Sequence, residues 1–189
     1  MKKTFWGTTI ILLLSLFCYF NFWICPTPEN FPFHLNEQPI LIAHGGGAID
    51  GQTYTNSKEA IINALNNNYN FIEIDFHILD DNKLAGIHDL KSFNEATGYG
   101  STNQSISSSE FKNRKIHGYL TPVLGEDIAQ IFKQNSAHLI TDKITDPEIL
   151  EKEIPIEKDR IFVEVPTYKE YRSFLKKGYK YPMLTIYEL

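Results

Sequence analysis

Cysteine is almost missing from this chain. Its 189 residues include only two, Cys18 and Cys25, and both lie in an apolar N-terminal stretch. The remainder has no disulfide framework and no thiolate metal site, so any metal must be held by oxygen or imidazole. A surplus of positive charge is missing too. Lys and Arg number 18 against 23 Asp and Glu, a net charge of −5, which excludes a chain that works on nucleic-acid phosphates through a broad basic face. No segment of about 20–50 residues repeats, which excludes a solenoid. A hydrophobic share of 42% with 22% charged residues excludes disorder and collagen-like repetition. What is left is enough chain for one domain of ordinary size.

The first residues, Met1-Lys2-Lys3, precede an uncharged run from Thr4 to Thr27, within which Phe5 to Ile24 is dominated by Ile, Leu, Phe and Trp. About 20 such residues span a bilayer core as a helix. A cleaved signal peptide is the rival reading, since both begin with basic residues before an apolar run. The small residues that cleavage requires are missing from Tyr19-Phe20-Asn21-Phe22-Trp23-Ile24. The expectation is therefore an uncleaved signal anchor over 1–25 and a proline-stiffened linker over 26–38. Lys2 and Lys3 would stay cytoplasmic, with a domain over 39–189 outside the cytoplasm. Cleavage would make the same domain secreted.

From Pro39 onward short apolar runs alternate with helical patterns. Strands are expected at residues 40–44, 71–78, 84–88, 138–141, 160–165 and 182–187. Asn56 is expected to cap a helix with Glu59 three residues on, and Thr121-Pro122 and Asp146-Pro147 to open two more. Thr167 and Glu170 read as a capping box, with Gly178 as the stop. Residues 90–120 read as a polar, irregular excursion, with 101–109 a flexible loop. The alternation predicts an α/β fold with a parallel sheet. Polar residues at the ends of successive strands favour a (β/α) TIM-type barrel over a doubly wound sheet. About five core strands make it an apparently incomplete barrel, its front portion, preceded by one transmembrane helix.

Glu73 and Asp75 are two apart on one strand, so both carboxylates project from one face. Such a pair repels unless a cation sits between them, and a hard divalent ion suits it; a half-exposed strand with acids facing water is the plainer alternative. His44 ends the first strand before Gly45-Gly46-Gly47, and His88 ends another before Asp89. Two histidines at strand ends form a plausible acid/base pair. His77 shares the face of Glu73 and Asp75, and Glu164 is a reserve ligand. His34, His117 and His138 read as surface residues.

Four segments in this order, Ile42-Ala43-His44-Gly45, Thr55-Asn56-Ser57, Ile72-Glu73-Ile74-Asp75-Phe76-His77 and Ile87-His88-Asp89, resemble the glycerophosphodiester phosphodiesterase family. The similarity continues through Leu120-Thr121-Pro122-Val123-Leu124. The resemblance implies a TIM-type barrel and metal-dependent hydrolysis of a small phosphodiester. It makes His44 and His88 the catalytic pair and Glu73, Asp75 and Asp142 the ligands of a divalent cation, Mg2+ or Ca2+. Gly45 and Lys143 take the family's substrate-binding places. Gly45 stands where the family usually has a phosphate-holding arginine, and Thr55 where it has an acid. Asp142 and Lys143 are adjacent where the family has acid-x-Lys, and should point to opposite strand faces. A non-catalytic or degenerate binding protein, or an inactive fragment of a longer phosphodiesterase, is the alternative.

Overall fold

A computed structural model describes residues 40–185. The expected anchor, the linker and His34 lie outside the described residues. Among those described, no helix is long and apolar enough to cross a membrane.

Five strands form a parallel sheet in the order β1 (Ile42–Ala43), β2 (Phe71–Ile78), β4 (His138–Asp142), β5 (Ile161–Val165) and β6 (Tyr181–Leu184). Between β2 and β4 in the chain, β3 (Leu84–Gly86) folds back antiparallel on β2, pairing Phe76 with Gly86 and Ile78 with Leu84. The expected strand 84–88 is therefore shorter than its apolar run, and it leaves the parallel order. The register places Phe71 beside Ile42 and His138, and Asp75 beside Asp142. Strand alternation then divides the sheet into two faces.

One face is apolar except for the buried Thr141 of β4. Ile72, Ile74, Phe76, Leu139, Ile161, Val163 and Val165 pack with Ile61 and Ala64 of α1 (Lys58–Asn66), Ile128 and Phe132 of α4 (Gly125–Lys133), Leu150 of α5 (Pro147–Glu153) and Phe174 of α6 (Tyr168–Lys176). Burying each such side chain stabilises the fold by roughly 1.5–3 kcal/mol. The opposite face carries Phe71, His138, Phe162 and Tyr181 at one end and the carboxylates at the other. His138, expected at the surface, is half-buried and stacked 5.1 Å from Phe71, with Phe162 at 5.9 Å.

The helix starts follow local chemistry, with two corrections. Asp146 caps α5 and Thr167 caps α6 in a capping box with Glu170, as expected. At α1 the cap is Ser57, whose Oγ accepts from Ala60 N–H at 3.3 Å; Asn56 is used elsewhere. At α4 the helix begins at Gly125, not at Pro122. Thr121 is held by Glu59 through its N–H and hydroxyl, each at 2.7 Å. Gly86 N–H donates to the Val123 carbonyl at 2.9 Å, so residues 121–124 pair with neighbours before the helix can start.

Residues 90–120 are more ordered than their polarity implied. They hold α2 (Leu90–Ala96) and α3 (Ser108–Asn113). A second core of Leu79, Ala85, Ile87, Phe93, Ile106, Phe111, Ile116 and Leu120 lies beneath them. Arg114, buried there, binds Asn94 and Glu110 and lies 3.6 Å from the Tyr99 ring centroid.

Candidate metal centre and its histidines

Glu73, Asp75 and Asp142 converge. Each offers a carboxylate oxygen, and these oxygens lie within 4.8 Å of one another. The cause is the register: β2 places Glu73 and Asp75 on the same face two residues apart, and β4 pairs Asp142 directly with Asp75. Glu73 and Asp75 are buried. Glu73 Oε2 accepts the Gly45 N–H at 2.6 Å, but Oε1 is buried with no hydrogen-bond partner. A buried carboxylate oxygen without a donor is costly unless a cation answers it. The oxygen-only donor set matches a hard divalent ion, so the residues present fit such an ion.

The electrostatics agree. Burial pushes the Glu73 carboxyl up to about 7, against the Gly45 N–H that lowers it and with Asp75, Asp142 and Glu164 raising it further. Glu164 is raised as well, by burial first and then by Asp142. A fourth carboxylate thus adds to the same negative field, as its place on the strand implied.

Asn56 is a site residue that the helix-cap expectation missed. It is fully buried and left-handed at φ +48. Its Nδ2 donates to Asp75 Oδ2 at 3.1 Å, and its Oδ1 accepts the Asp75 backbone N–H at 3.2 Å. An amide side chain supplies the donor and the acceptor from two separate atoms. Asn tolerates the left-handed conformation better than most residues, which was the readable signal.

His44 follows β1 in a single 3-10 turn, 64% exposed at its side chain, with Nε2 3.6 Å from Glu73 Oε2. The Tyr54 ring packs edge-on against it at 4.9 Å. His88 is also exposed, and its Nδ1 lies 2.7 Å from Asp89 Oδ2. Burial raises Asp89, but the Ser92 N–H, His88 and the Ser92 hydroxyl outweigh it and hold the carboxyl down at about 2. Asp89 is therefore an ionised acceptor for an Nδ1–H of His88, an arrangement that in the neutral imidazole leaves Nε2 as the accepting nitrogen. A cleft of about 470 Å³ opens beside His88, with Tyr54, Asp89, Phe93 and His117 in its walls.

Lys143 reaches the same place. Its expected position on the opposite strand face is corrected: β4 ends at Asp142, Lys143 is left-handed at φ +64, and alternation no longer applies. Its Nζ lies 3.1 Å from Asp75 Oδ1 and 2.9 Å from the His88 carbonyl. His77 is half-buried, and its pKa is lowered, by burial first; Asp89 raises and Lys143 lowers it. Gly45, by contrast, directs its N–H at Glu73. A Cβ added there would meet Tyr54 Cα at 2.7 Å, on a backbone at φ +58.

No family model and no curated protein matches the chain. Solved structures do. A glycerophosphoryl diester phosphodiesterase from Parabacteroides distasonis is 19% identical, with a TM-score of 0.62, over 78% of this chain and 54% of its own. A glycerophosphodiester phosphodiesterase from the same organism is 20% identical, with a TM-score of 0.53, over 74% of this chain and 61% of its own. The likeness is one of fold: a parallel α/β sheet shared with these enzymes. The chain spans between half and two thirds of the length of the structures it matches.

Proposed function

We propose that this domain hydrolyses a small phosphodiester of the glycerophosphodiester class, with a divalent cation, Mg2+ or Ca2+, held by Glu73, Asp75 and Asp142. The observation that carries the proposal is the convergence of three carboxylates, one with a buried, unpartnered oxygen, beside the exposed His44 and linked through Lys143 to the exposed His88. The fold shared with phosphodiesterases supports it. In the same proposal the five parallel strands are the front portion of a TIM-type barrel. Residues 1–25 anchor the domain in the membrane and hold it outside the cytoplasm, which rests on the apolar run and the two lysines before it.

When bound, the cation would offset negative charge growing on the phosphoryl oxygens. The chain's own groups do the rest. His88, with Nδ1–H fixed on Asp89, presents Nε2 to take a proton from the nucleophile, a neighbouring substrate hydroxyl or water. His44, facing Glu73, takes the general-acid role and delivers a proton to the departing alkoxide. Lys143 is the cationic group nearest the carboxylates with an ammonium able to meet a phosphoryl oxygen. The alcohol side of the substrate would lie in the cleft between Tyr54 and His117.

His44→Ala and His88→Ala should each lower metal-dependent phosphodiester turnover about 10²–10⁴-fold. Both side chains are exposed, so the melting temperature should stay within a degree or two. Equal turnover in the native chain and both variants would refute the assignment. A second reading, binding without turnover, is favoured by one observation: the Gly45 backbone has no room for the arginine that the family uses on phosphate. Calorimetric binding of a phosphodiester with no product released over days would establish it.

A further inference from the structure

Lys143 joins two parts of the site that lie 68 and 55 residues before it in the chain. Its ammonium is 3.1 Å from Asp75 Oδ1 and donates to the His88 carbonyl at 2.9 Å. The Asp75 side chain is 3% exposed, against 32% for Lys143. The other Asp75 oxygen is occupied by Asn56. Lys143 is therefore the positive charge set directly on the buried carboxylate, and Oδ1 is the oxygen it holds.

That carboxylate is also one a divalent ion would need. Oδ2 keeps a lone pair beside its Asn56 bond, but an ion shared with Glu73 and Asp142 would meet the Asp75 carboxylate within a few ångströms of the ammonium already on Oδ1. Two cations on one buried carboxylate repel strongly at low effective dielectric. Lys143 has the means to leave: it stands one residue past the end of β4, on a left-handed backbone, at the end of a flexible four-carbon stem.

We infer that Lys143 is an exchangeable internal cation. It neutralises Asp75 before the divalent ion arrives, gives up Oδ1 when the ion binds, and is then available to a phosphoryl oxygen. Because the same ammonium grips the His88 carbonyl, the exchange also reports metal occupancy to His88 as a shift of its backbone. Lys143 is in this respect a positioning residue that couples the carboxylates to the histidine. The inference rests on the metal-centre reading above.

Calorimetric titration of the full chain with MgCl2 and CaCl2, native against Lys143→Met, tests it, with Lys91→Met as an exposed-lysine control. Lys143→Met should bind the ion about tenfold tighter, and Lys91→Met should not differ from native. Without metal, Lys143→Met should melt lower than native, and saturating metal should close most of that gap. The His88 Hε1 proton resonance, assigned by its loss in His88→Gln, should move on metal addition in the native chain at fixed pH and stay in place in Lys143→Met. Unchanged or weaker ion binding by Lys143→Met, or a native His88 signal indifferent to metal, overturns the exchange and leaves the metal centre standing. A native chain that binds no ion overturns both. If Lys143→Met does not fold, the native His88 signal still decides.

Discussion

Gly45→Arg, the substitution that would restore the family's arginine, is expected to destabilise the domain by about 2–5 kcal/mol and to gain no activity. Two independent costs add. The backbone at Gly45 has φ +58, which costs a residue with a Cβ roughly 1–2 kcal/mol. The new Cβ would then lie 2.7 Å from Tyr54 Cα, a backbone atom that cannot rotate away, and overpacking of this kind costs about 1–3 kcal/mol more. The Tyr54 segment would have to move, carrying with it the Asn56 N–H that donates to the carbonyl of Gly45 at 2.9 Å, the residue whose own N–H holds Glu73. Chemical denaturation of the variant checks this; a midpoint equal to that of the native chain would show that the loop adapts.

The second large effect is on pH. Glu73 titrates near 7 in the fold, chiefly because it is buried, against an ordinary carboxylate value in the unfolded chain. Between those values the folded state keeps a proton that the unfolded state releases, so stability is present at low pH and lost as pH rises to about 7, at up to about 1.4 kcal/mol per unit. His77 and His138 are both lowered, by burial first. They act in the opposite direction near pH 6, because there the unfolded state binds more protons. The comparison must therefore be native against Glu73→Gln. Without metal, the native chain should lose about 5–10 °C of melting temperature relative to Glu73→Gln between pH 5 and 8. Saturating divalent ion should remove the loss, because it binds the ionised carboxylate. Parallel pH curves for the two proteins would show that Glu73 is an ordinary acid.

Much of this was legible in the sequence where local chemistry decides the outcome. The period-two pattern of Phe71 to Ile78 defines β2 to the residue, and Asp146-Pro147 and Thr167 with Glu170 mark two helix starts by their own hydrogen bonds. The facing of Glu73 and Asp75 followed from alternation alone. What was not legible depends on groups distant in the chain. Thr121-Pro122 looks like a helix start, but Glu59 holds Thr121 from 62 residues away. The stretch 90–120 looks irregular because its apolar residues are scattered, and only the backfolded β3 gathers them into a core. Asn56 reads locally as a helix cap, and its two hydrogen bonds to Asp75, 19 residues away, have no local signature. Lys143 falls on the opposite face only if alternation continues one residue beyond the strand, which ends at Asp142.

The central claim is the divalent centre, and calorimetric titration of the native chain and Asp75→Ala with Mg2+ and with Ca2+ tests it most directly. The account predicts one ion per chain for native protein at pH 7.5, with proton release as Glu73 ionises, and no measurable binding to a folded Asp75→Ala. Binding that survives Asp75→Ala unchanged, or native protein that takes up neither ion, would contradict it.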